Sequence, residues 1–127
     1  MPNKIRHCTH PGDTGATPLS PAVRTGDFVW VSGQVPFDAD GIVVGHEIVA
    51  QTHQVMENIV SALALAGCTM DDVCKTTAWL QDARDFGKFN ATYASYFSKG
   101  YPARTTSEAR LMANILVEIE AVAYKPL

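Results

Sequence analysis

Across residues 47–66, Ile48, Thr52, Val55, Ile59, Ala62 and Ala66 recur at spacings of four and three, which puts them on one face of a helix. Leu63 widens that stripe, and Gly67 supplies the left-handed residue at which helices commonly stop. A helix with a single apolar stripe must lay it against another element. Most of the remaining chain reads as strands, so helices packed on a sheet are the architecture that fits.

Residues 5–9 and 22–24 read as short strands, the second turned by Thr25-Gly26-Asp27. Residues 28–32 are β-branched and aromatic, a strand that ends at Gly33. In residues 73–81, Cys74, Thr76, Ala78 and Leu80 alternate with Lys75, Thr77 and Trp79. Asp82 is the expected N-cap of a second helix over residues 83–97, with Phe86, Phe89, Tyr93 and Tyr96 or Phe97 on its apolar side. Gly100 and Pro102 close that helix, and two more strands follow around Arg104 and Glu118, joined near residues 111–114. The predicted order is β-β-β-α-β-α-β-β in one domain, residues 1–127. That is an α+β, two-layer fold: a mixed six-stranded sheet with both helices on one face.

A chain of 127 residues can bury roughly two thirds of its unfolded surface. Its net charge of −3 with scattered basic residues argues against phosphate-backbone binding, which draws on clustered cations. Cys8, Cys68 and Cys74 are odd in number and form no CxxC pair, which suits free thiols in a reducing compartment. His7, His10, His46 and His53, taken with Cys8, match no usual zinc spacing, so no metal is expected. There is no phosphate-cradling glycine loop to suggest a nucleotide cofactor. Residues 1–10 lack the apolar core of a signal peptide, and no run approaches eighteen apolar residues. A cytoplasmic location without membrane or nucleic-acid partners is the expectation.

The last two strands carry charge where a small domain normally buries apolar side chains. Arg104 can fork two parallel hydrogen bonds to a carboxylate; alternatively it forms a salt bridge with Glu108 or Glu120. Glu118 and Glu120 lie two apart and so share a face. If these strands form a hairpin, that face also carries Arg104, Thr106, Glu108 and Arg110, with room for a small molecule between Arg104 and Glu118. Leu116, Val122 and Tyr124 lie there as well, and so mixed a face predicts self-association. Ser32 ends its strand at Gly33, where backbone N–H groups can face an anion, and no G-x-S-x-G elbow marks Ser32 as a nucleophile. Asn90 suits either a helix-to-loop hydrogen bond or a polar contact to a ligand.

Four segments in order, Val31-Ser32-Gly33-Gln34-Val35-Pro36, Phe89-Asn90-Ala91-Thr92-Tyr93, Pro102-Ala103-Arg104-Thr105-Thr106 and Val117-Glu118-Ile119-Glu120-Ala121-Val122-Ala123, carry a resemblance over nearly the whole chain. The chain resembles the Rid family of enamine/imine deaminases, also called the YjgF family. The resemblance implies chorismate-mutase-like subunits in a homotrimer, with clefts between subunits that hydrolyse 2-imino or 2-enamino acids to 2-oxo acids and ammonia. It puts the family arginine at Arg104, the cleft asparagine at Asn90, the strand-end pair at Ser32 and Gly33, and the water-positioning glutamate at Glu118. Ala22 stands for a common tyrosine, Thr106 for a cysteine and Met112 for a usual proline, in a segment about one residue shorter. The tyrosine's absence opens the alternative of a non-catalytic carboxylate-binding trimer, or of a deaminase for a bulkier substrate. RNA cleavage, also attributed to family members, fits the charge least.

Overall fold

Strand β6 (Val117–Tyr124) crosses the middle of a six-stranded sheet in the computed structural model, which describes residues 5–127. Its alternation explains its place. Val117, Ile119, Ala121 and Ala123 are buried, while Glu118, Glu120, Val122 and Tyr124 face the other way. The remaining strands are β1 (Ile5–Cys8), β2 (Ala22–Thr25), β3 (Phe28–Gln34), β4 (Val73–Leu80) and β5 (Ala103–Glu108). The helices are α1 (Ile48–Leu65) and α2 (Phe86–Ala94), and the sheet order is β1-β2-β3-β6-β4-β5. All neighbours are antiparallel except β4 and β5, which run parallel. This is the α+β architecture that the pattern predicts.

Helix α1 starts where Glu47 caps it. The Glu47 carboxylate accepts from the N–H groups of Val49 and Ala50 at 2.9 and 2.7 Å, and those bonds hold its pKa below the ordinary value. Ile48, Thr52, Val55, Met56, Ile59, Ala62 and Leu63 are buried against the sheet. Gln51, also buried, accepts from the Leu116 N–H at 2.8 Å and so fixes the entry to β6. Buried Arg24 donates to the carbonyls of Gly26, Ala66 and Lys125, tying β2 to the end of α1 and to the C-terminal segment.

Beyond β3, which runs on through Gly33 to Gln34 instead of ending at Gly33, three features differ from expectation. Helix α2 is shorter than residues 83–97: Ala83–Asp85 form a 3₁₀ turn, and Asp82 caps that turn by accepting from Arg84 N–H. In β4 a register shift between Val73 and Lys75 turns Cys74 outward and gives Val73 the buried place. The third difference decides the site. Strands β5 and β6 are not a hairpin, because β4 lies between them.

Candidate functional site

The inserted strand separates the two charged residues that a hairpin would have joined. Arg104 pairs in register with Thr76, and Glu118 with Trp79. Positions 76 and 79 differ by an odd number, so Arg104 and Glu118 project from opposite faces of the sheet. Burial agrees. Thr76 is 1% exposed beneath the helices, whereas Glu118 shares the open face with Trp79 and Glu120. Thr106, paired with Ala78, also faces the helices, so the expected single charged face is overturned.

On the helix side, Arg104 lies against α2. Its guanidinium sits 4.8 Å from the ring centroid of Tyr93, 5.3 Å from Phe89 and 5.6 Å from Phe86. Such cation–π contacts hold the group in place without using its N–H donors. Tyr93 is itself fixed by a 2.7 Å hydrogen bond between its hydroxyl and that of buried Thr76. No carboxylate among the described residues pairs with Arg104, so the alternative salt bridge to Glu108 or Glu120 is not formed. Glu108 instead accepts from the Ala83 N–H at 2.7 Å. Asn90, Tyr93, Tyr101, Pro102 and Arg104 border a pocket of about 460 Å³. Asn90 Oδ1 and Thr106 Oγ1 are buried without a hydrogen-bond partner. A half-buried cation with unsatisfied polar atoms on neighbouring elements is costly unless something else pairs with them.

On the open side, β3 bulges. Val31 pairs with Ala121 and Gln34 with Ile119, so Ser32 and Gly33 together oppose Glu120. The Ser32 hydroxyl donates to the Ser20 carbonyl at 2.6 Å and its N–H to the Pro21 carbonyl at 3.0 Å, which orients the bulge. The Glu118 carboxylate packs on Gly33. A Cβ there would overlap Glu118 Oε2 and stand 3.2 Å from Glu118 Cδ, so glycine makes the approach possible. Partial burial, and then the charge of Glu120, push the Glu118 pKa up from its ordinary value.

The structure thus gathers the six candidate residues into two groups, Arg104, Asn90 and Thr106 on one face and Ser32, Gly33 and Glu118 on the other. Ala22 belongs to neither. It is fully buried, paired with Val31 and Cys8, so its small side chain belongs to the core and not to a pocket wall. Reading the residues as elements missed Tyr93 and Tyr101 as site components. The spacing Phe89, Tyr93, Phe97 marks a helix face and does not reveal that Arg104 would lie upon it.

Comparison with known proteins gives this arrangement a family. Residues 13–125 match the family model described as Endoribonuclease L-PSP. A Rid-family crystal structure from Yersinia pestis has a TM-score of 0.88 at 35% identity, over 94% of this chain and 98% of that one. The chain belongs to the Rid family. Among Rid relatives, a RutC family protein of Pyrococcus horikoshii is 46% identical over 110 residues, 85% of this chain and 87% of that protein. The 2-iminobutanoate/2-iminopropanoate deaminase of Salmonella typhimurium is 37% identical over 112 residues, covering 85% and 88%. Among the described residues, no helix of this Rid protein is long and apolar enough to cross a membrane.

Proposed function

We propose that this chain hydrolyses small 2-imino or 2-enamino carboxylic acids to 2-oxo acids and ammonia, in clefts completed by a neighbouring copy. The observation that supports it is Arg104, held against three rings and without a carboxylate partner among the described residues. The named activity of the Salmonella typhimurium relative supports this reaction class. Because Arg104 and Glu118 face opposite sides of one sheet, a cleft using both takes them from different copies. A homotrimer with head-to-tail contacts meets that requirement, since a heterologous interface joins unlike faces and forms a ring of three when its rotation is a third of a turn.

In the cleft, Arg104 forks onto the substrate carboxylate, with Asn90 and Thr106 as further polar contacts. Across the interface, Ser32, Gly33 and Glu118 hold a water against the imine carbon. Glu118 takes a proton as the water's oxygen bonds to carbon and the C=N electron pair moves to nitrogen. Glu118 returns that proton to the nitrogen, giving a carbinolamine. As the C–N bond breaks with its electrons going to nitrogen, the hydroxyl proton passes through Glu118 to that nitrogen, so ammonia leaves, the carbonyl forms and Glu118 is again a carboxylate. A positioned general base contributes about 10²–10⁴-fold, and a charge-assisted hydrogen bond about 1.5–3 kcal/mol. An imine is already electrophilic, so these effects suffice.

The family description names endoribonuclease, yet Glu118 and Glu120 lie side by side on the open face, where a phosphate backbone would be repelled. A non-catalytic carboxylate-binding role is the closer competitor. Imino acids generated in situ by an amino-acid oxidase should lose their nitrogen faster when the protein is added. Tight calorimetric binding of 2-oxo acids with no acceleration for any imino acid would select the binding role instead.

A further inference from the structure

The open face holds a second, smaller cavity beside Glu118, of about 210 Å³, bordered by Trp79, Arg110, Leu111 and Met112. We propose that this cavity receives the side chain of the substrate and selects imino acids whose side chain is apolar and larger than methyl. The inference rests on the deaminase reading and deepens it. Trp79 is the register partner of Glu118 across β4 and β6, so an aromatic wall stands next to the carboxylate that directs water. Met112 is 95% exposed, at the mouth of the cavity, on the loop that links β5 to β6. An unbranched thioether there adapts to apolar groups of different shape. The volume suits a branched side chain, one water's share of the liquid being about 30 Å³. Arg110 also borders the cavity and could attract an acidic side chain. Glu118 and Glu120 oppose that, because a second carboxylate would lie close to theirs.

The test uses imino acids formed in situ from alanine, leucine and glutamate. The leucine-derived substrate should exceed the alanine-derived one in kcat/KM by about tenfold or more, as extra methylenes in an apolar pocket do. The Met112→Glu variant should bring that ratio down toward one, and Met112→Ala should lower it less. A wild-type ratio at or below one, a preference for the glutamate-derived substrate, or a ratio unmoved by Met112→Glu would overturn the inference and leave the deaminase reading standing. If the wild-type protein hydrolyses none of the three, both readings fall together.

Discussion

Arg104→Ala should lower kcat/KM for imino-acid hydrolysis by about 10²–10³-fold or more, because truncating one member of a desolvated, hydrogen-bonded charge pair costs about 2–5 kcal/mol. The loss should appear mainly in substrate capture, since the role proposed for the guanidinium is to hold the carboxylate and not to touch the reacting carbon. The fold should survive. Arg104 is half-buried, donates no hydrogen bond to the described residues, and sits on rings whose own packing involves Thr76 and the α2 face. Steady-state kinetics beside circular dichroism checks this. Retained activity in a folded variant would remove Arg104 as the anchor.

The second large effect concerns Glu118. Glu118→Gln should keep carboxylate binding and slow turnover by about 10²–10⁴-fold, the contribution of a positioned general base. Its pH dependence has a definite sign. Burial and Glu120 raise the folded pKa above the ordinary 4.5. The base is therefore ionised only above that raised pKa, and the acid limb of kcat/KM should lie above 4.5. Stability runs the other way. A carboxyl whose folded pKa is raised stabilises the fold below its unfolded pKa, and that contribution is lost as pH rises through the folded pKa. Glu118→Gln should accordingly have a Tm at least equal to the parent's at neutral pH, while its turnover collapses. Unchanged turnover would strip Glu118 of its role.

The sequence made some of this plain and hid the rest for physical reasons. Helix α1 and strand β6 are legible because each has a single period, 3.6 or 2, that matches the face it buries. Motif resemblance points to five of the six residues that the structure divides between two faces, all but Thr106. What sequence proximity misled was strand order. Residues 103–108 and 117–124 follow one another and suggest a hairpin, yet β5 pairs with β4. The clue was available: α2 lies between β4 and β5, and a strand-helix-strand unit with a crossover helix favours parallel pairing. Following that clue places Arg104 level with Thr76 and reverses its face relative to Glu118. The Ser32–Gly33 bulge and the turning of Cys74 are register events between strands distant in sequence, which no local pattern announces.

The central claim is that one working cleft draws Arg104 and Glu118 from different copies, and mixing two dead variants tests it most directly. Arg104→Ala and Glu118→Gln chains, unfolded together and refolded at equal amounts, should regain about a quarter of wild-type activity. Half the chains then offer an intact arginine and half an intact glutamate at each head-to-tail contact. If the mixture stays as inactive as its two components while co-assembly is confirmed by mass, the site lies within a single chain and the account is wrong.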